Sequence, residues 1–173
     1  QQAAAHHLRT ILRACPRHID TQLALGNTLL RGGDAAGGLD LLHRLADEPL
    51  LGAQQAYRHE AIGRHALEKG EPQVALEHLA AATSLAPDER GSLHNLVGAC
   101  WLRLGRPEVA EPLFAEAAAR GNADGHGNLG ICRFRRGDRA AARASFANAM
   151  RIAPHDSGAR RNYRSEEHTS ELQ

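Results

Sequence analysis

The chain has 173 residues and balances 21 Lys and Arg against 20 Asp and Glu, a net charge of +1 with no bulk attraction to nucleic acid or an anionic membrane. Alanine (32) and leucine (23) make up nearly a third of it and aromatics only 3%, which excludes a sheet-based fold and points to an all-α protein. Cys15, Cys100 and Cys132 are too few for a disulfide scaffold, and no run approaches the ~18 apolar residues of a membrane span.

In chain order, the apolar periodicity predicts helices over 3–14, 19–31, 34–47, 53–69, 72–85, 89–104, 107–119, 123–136 and 139–152. A further helix is expected over 157–163, from Ser157. The first residue is Gln1, with no Met, and the opening residues already read as helix. The chain therefore reads as a piece of a longer protein, and the compartment stays open. At the other end Arg164 to Gln173 reads RSEEHTSELQ, an abrupt change to Glu, Ser and Thr. This string resembles the translation of a common short-read sequencing adapter, so residues 164–173 are expected to be a non-native tail.

The helical region repeats itself. Gly130, Gly137, Ala142, Phe146 and Ala149 align with Gly98, Gly105, Ala110, Phe114 and Ala117, each pair 32 residues apart. The same frame returns as Gly63, Gly70, Ala75, Leu79 and Ala82, closed by Pro87, and earlier as Gly26, Gly33, Gly38, Leu42 and Leu45. Gly63 and Ala75 are the small residues expected where two helices pack backbone to backbone, with Leu79 and Ala82 filling the groove between them. Gly70 falls where a tight turn between helices needs a left-handed residue, and Pro87 ends the second helix.

This pattern resembles the tetratricopeptide repeat family, a helix–turn–helix of ~34 residues. The resemblance covers Ala4 to about Tyr163 and departs from the family in places: His59, His94 and His126 replace a common tryptophan, and Asn122 replaces the closing proline. It implies a right-handed α-solenoid over residues 1–163, with a partial unit at 1–18 and units near 19–52, 56–89, 91–122 and 123–156.

The family's geometry turns set positions of each first helix into a concave groove. The residues so placed include Asn27, Arg31, Tyr57, Glu60, Arg64, Asn95, Arg103, Phe134 and Arg135, with Leu23, Leu30 and Leu67 among their neighbours. Asn and Arg suit the backbone and acidic groups of an extended peptide, and Leu and Phe its side-chain pockets. Two specialised grooves of the family are not expected. The carboxylate clamp would retain only Asn27, because Leu23, Ala61, Ser92 and Leu96 hold its other places. The asparagine ladder fails at Ala24, Ala61 and Leu96.

No residue set calls for a cofactor or a metal. His59, His94 and His126 share one repeat position, so they stand about a helix spacing of ~8–10 Å apart and cannot converge on one zinc. They are expected instead as part-buried side chains in a tryptophan-sized site. Cys100 and Cys132 read as small packing residues, and no base stands placed to activate a thiolate. The Gly-rich stretches lack the Lys-Ser/Thr of a phosphate loop. Arg133, Arg135, Arg136, Arg139 and Arg143 make the last unit basic, but no aromatic platform accompanies them, which disfavours nucleic acid. The expected function is a non-catalytic scaffold that binds another protein or an extended peptide. The alternative is a regulatory or substrate-presenting arm of a larger bacterial enzyme of sulfotransferase or glycosyltransferase type.

Overall fold

A computed structural model describes residues 1–87 and 91–155 of the chain. The helix expected over 157–163 and the tail at 164–173 lie outside these residues. The described chain is helical with no strand, and it divides into two compact units, Gln1–Pro87 and Asp88–Gln173.

The first unit contains α1 (Gln2–Ala14), α2 (Ile19–Arg31), α3 (Ala35–Arg44), α4 (Gly52–Lys69) and α5 (Pro72–Leu85). Helix α2 pairs with α3 and α4 with α5, α2 also runs along α4, and α1 leans on α2. The second unit contains α6 (Ser92–Arg103), α7 (Pro107–Ala119), α8 (Ala123–Arg135) and α9 (Arg139–Ile152). Here α6 pairs with α7 and α8 with α9, and α6 runs along α8.

Local chemistry sets the ends of these helices. Asp34, Asn122 and Asp138 cap α3, α8 and α9 by accepting the backbone N–H three residues on, at 2.8–3.1 Å. Asn122, where the repeat lacks its proline, thus starts the next helix. Pro72 and Pro107 open α5 and α7 at the first helical position, where no backbone N–H is needed. Gly70 closes α4 with φ +82°, the left-handed turn its position demands.

Two boundaries differ from the sequence expectation by more than one residue. The helix expected over 34–47 leaves α geometry at Arg44 and finishes as a 3-10 turn, Leu45–Asp47. Pro49 is the cause: it holds Glu48 extended (φ −86°, ψ 149°), so the chain tightens before it. The helix expected from residue 89 begins at Ser92, because Gly91 sits left-handed at φ +68°.

The repeat's glycines are seats for large side chains. A Cβ on Gly26 would lie 2.7 Å from Leu42, one on Gly63 2.8 Å from Leu79, one on Gly98 2.7 Å from Phe114, and one on Gly130 2.5 Å from Phe146. The seated side chains are all buried, and the small residues beside them, Ala75, Ala82, Ala110 and Ala142, are buried as well. Burying such a side chain contributes about 1.5–3 kcal/mol, and close packing leaves it nowhere to retreat.

A paired substitution in α8 tests this. Gly130→Ala should destabilise the protein by about 1–3 kcal/mol through overpacking against Phe146. Gly127→Ala, three residues earlier in the same helix, meets nothing within 4 Å and should be neutral or stabilising by about 0.5–1 kcal/mol. Equal denaturation midpoints for the two variants would contradict the seat.

Candidate functional site

The candidate residues of the first unit lie on neighbouring helices. In α4, Tyr57, Glu60, Arg64 and Glu68 recur every three or four residues and so share one stripe. In α2, Asn27 and Arg31 are four apart. The two stripes meet in an open hollow of about 290 Å³ lined by Asn27, Arg31, Tyr57, Glu60, Ala61, Arg64 and Glu68. Five of the sequence candidates therefore share one site.

Its polar groups are partly engaged. Asn27 Nδ2 donates to the Tyr57 hydroxyl across the α2–α4 seam at 2.7 Å. Arg64 donates to Glu60 Oε1 at 2.6 Å, one turn apart on α4. Tyr57 is 40% exposed, so its ring stands between the two helices as an open wall. On its far side lies a second, mainly apolar hollow of about 350 Å³, lined by Asp20, Leu23, Ala24, Ala53, Gln54 and Tyr57. Gln54 Nε2 donates to Asp20 Oδ1 at 2.8 Å and ties the rim together. Ala24, Ala53 and Gln54 were not among the sequence candidates. Ala53 and Gln54 lie four and three residues before Tyr57, so the periodicity of the α4 stripe already reached them.

Two leucines expected to line the groove do not. Leu30 and Leu67 are each 6% exposed, and both turn inward. Leu30 packs on the backbone of α3, where a Cβ at Gly38 would meet it at 2.8 Å, and it joins Leu23, Leu42, Leu45, Ala61 and Ile62 in the core. Leu30 and Leu67 each follow a seat glycine, Gly26 and Gly63, by four residues, so both share the face pressed onto the second helix.

In the second unit, Asn95 is 9% exposed and its Oδ1 accepts from Asn128 Nδ2 at 2.8 Å, lacing α6 to α8. Arg103 and Arg135 are exposed at the ends of α6 and α8, and Phe134 is 40% exposed. Arg135 borders a hollow of about 550 Å³ with Leu102, Pro107, Glu111, Cys132 and Arg136, whose rim is closed by an Arg136–Glu111 ion pair at 2.9 Å. Phe134 does not line it.

Sequence reasoning missed the partner of His59. Seating Leu79 on Gly63 brings His78 of α5 beside His59, with ring centroids 5.2 Å apart and Nδ1 to Nδ1 at 3.0 Å. Arg58 lies 3.1 Å from His59 Nε2. A guanidinium can only donate, so His59 Nε2 accepts. The His59 proton is then on Nδ1 and is donated to His78 Nδ1, which leaves the His78 proton on Nε2. Both rings are neutral in this arrangement. Burial, then the Arg58 charge, holds both below the ordinary histidine range. The His78 ring adds to this for His59, and the His43 ring for His78, where Glu77 opposes it. His94 and His126 are part-buried at the equivalent positions, and burial lowers His126 too.

Among the described residues no three His, Cys, Asp or Glu side chains are grouped to hold a metal ion, and no helix is long and apolar enough to cross a membrane. Cys100 is fully buried and burial pushes its thiol up to about 11; Cys132 is raised by the same cause. Cys15 is exposed.

The sequence profile described as tetratricopeptide repeat matches residues 60–124 and 101–157, which together span more than half of the chain. The chain belongs to the tetratricopeptide repeat family. Among curated proteins nothing matches. Among solved structures the fold is similar to TTC0263, a thermophilic tetratricopeptide repeat protein of Thermus thermophilus, at 25% identity over 95% of this chain and 89% of that one, with a TM-score of 0.71. It is also similar to YrrB, described as having an unusual peptide-binding site, at 17% identity over 96% and 85% of the two chains, with a TM-score of 0.67. The first tetratricopeptide repeat domain of Spaghetti (RPAP3), solved with the HSP90 peptide SRMEEVD, matches at 18% identity over 68% of this chain and 94% of its own, with a TM-score of 0.59.

Two measurements follow from this chemistry. Because the folded-state pKa values of His59 and His78 are lowered, the unfolded chain binds more protons once the pH falls through the ordinary histidine value of about 6.5. Stability should be at its full value above that pH and decline below it, and His78→Gln should flatten the decline. Identical slopes for parent and variant between about pH 7.5 and pH 5.5 would contradict the neutral pair. In the native protein a maleimide should label Cys15 alone, with Cys100 and Cys132 reacting only on denaturation; fast labelling of Cys100 would contradict its burial.

Proposed function

We infer that this tetratricopeptide repeat protein is a non-catalytic scaffold that holds a segment of another protein along the first helices of its repeats. The observation that carries this is the convergence of Asn27, Arg31, Tyr57, Glu60 and Arg64, drawn from two helices, on one open hollow. Its groups are amide, hydroxyl, guanidinium and carboxylate, with an aromatic wall. They can donate to carbonyls and accept from amides, which an extended chain presents along its whole length. The same side chains are poorly arranged for catalysis. Arg64 and Glu60 neutralise each other, and the histidine pair lies on the α5 side of α4, where neutral rings bond to each other.

Arg103, Phe134 and Arg135 supply the corresponding surface of the second unit, on α6 and α8, while Asn95 lies buried behind it against Asn128. Peptide binding by YrrB and by the Spaghetti domain, each of the same fold, supports this ligand class. We place the repeats near 19–52, 56–89, 91–122 and 123–156, each offering its first helix.

The test is a selection of random twelve-residue peptides displayed on phage against the full chain, followed by fluorescence titration of the enriched sequences. Replacing Arg64 and Arg103 together by alanine should weaken binding about tenfold or more, since arginine is a frequent anchor at interfaces. Replacing Arg143 and Arg151, exposed on α9, should change it less than about twofold. The reverse order would assign binding to the basic outer face, and no enrichment would overturn the reading.

A further inference from the structure

The two hollows of the first unit meet at Tyr57 and differ in chemistry. One is walled by Leu23, Ala24, Ala53 and the Tyr57 ring, and the other by the polar groups beyond it. Between them stands the Asn27–Tyr57 hydrogen bond, and what it leaves unused is informative. Asn27 Nδ2 donates to the Tyr57 hydroxyl, so that oxygen serves as acceptor and its own hydrogen remains to be donated. Asn27 Oδ1 has no donor among the described residues. One adjacent acceptor and one donor thus face the opening, the complement of the N–H and C=O of an extended backbone.

Charge narrows the ligand further. In the polar hollow Arg31 and Arg64 are matched by Glu60 and Glu68, and Arg64 is already bonded to Glu60. Asp20 stands at the rim of the apolar hollow. Across the pair, three carboxylates face two guanidiniums, so a ligand carboxylate drawn to Arg31 shares its hollow with Glu68 and approaches a wall of net negative charge. An apolar side chain meets no such opposition on the other side of Tyr57, where about 350 Å³ is open above Leu23 and the two alanines.

We propose that the twin hollows around Tyr57 select an extended, non-acidic peptide segment. An aliphatic side chain of that segment fills the apolar hollow, while a backbone amide spans Asn27 and Tyr57. The proposal rests on the peptide-binding reading above and names the ligand chemistry of that site. It separates this protein from a relative that holds the acidic peptide SRMEEVD.

The phage selection on the full chain supplies the probes, and its strongest peptide is then synthesised. The enriched sequences should share a Leu, Ile, Val or Met with no Asp or Glu beside it. Ala53→Trp fills the apolar hollow from an exposed position and should weaken the synthetic peptide about tenfold or more. Tyr57→Phe deletes only the hydroxyl and should cost about three- to tenfold, the range of one hydrogen bond. Serine in place of the peptide's aliphatic residue reads the same contact from the ligand side, should Ala53→Trp disturb folding. If the peptides depend on Arg64 and Arg103 but tolerate Ala53→Trp and Tyr57→Phe, this proposal falls and the scaffold reading stands. An enriched acidic consensus lost on Arg31→Ala would likewise overturn it alone. If no peptide is enriched, both fall.

Discussion

A bare stretch of helix backbone with a large side chain pressed onto it is the contact on which this structure depends. It occurs at Gly26, Gly63, Gly98 and Gly130, each time with the residue sixteen positions later: Leu42, Leu79, Phe114 and Phe146. Sixteen residues is the distance across one helical hairpin, so the contact fixes both how closely the two helices approach and their register. Everything else in the repeat answers to it. Alanines at 75, 110 and 142 keep the seam narrow, and left-handed glycines at 70, 105 and 137 turn the chain between the helices. One turn beyond the seat glycines, Leu30 and Leu67 enter their seams alike, whether the second helix offers Gly38 or Ala75.

The seat contact explains what was and was not legible in the sequence. Helix positions were legible because glycine, alanine and proline act on the backbone directly, and their spacing repeats. The hairpin seats were legible for the same reason. Side-chain direction within a first helix was legible only to within a turn: Arg31 and Leu30 are adjacent, yet one reaches the open hollow and the other the core. What decides between them is the helical face: Leu30 follows Gly26 by four residues and so shares the side pressed onto α3. The 3-10 ending at Leu45–Asp47 could have been anticipated from Pro49, whose effect reaches back through Glu48.

The polar pairs were least legible, because each depends on two helices at once. Asn27 with Tyr57, Asp20 with Gln54, and Asn95 with Asn128 lie 30, 34 and 33 residues apart. Those separations approximate one repeat, so the pairs lie between equivalent helices, but the residue types do not recur and no pattern announces them. His59 and His78 are the opposite case: they lie across one hairpin, where the glycine seat already implied their proximity. Treating histidines only along the repeat direction, from His59 to His94 and His126, looked past the neighbour across the seam.

Within each unit the packing is also lopsided, and this bears on where a ligand can sit. Helix α2 runs along α4 and α6 along α8, while among the described residues no comparable packing joins α3 to α5 or α7 to α9. First helices therefore approach one another more closely than second helices do. Side chains projecting from two converging helices crowd toward common points, as Asn27 and Tyr57 do at 2.7 Å; those from diverging helices stand apart in water. A site needs groups from separate elements held at fixed distances, and the converging first helices supply them. The seat that presses each second helix onto a first-helix glycine commits the inner face of both to the core. The flank of the first helix turned toward its equivalent neighbour thus stays free to assemble recognition, as it does where Asn27 meets Tyr57.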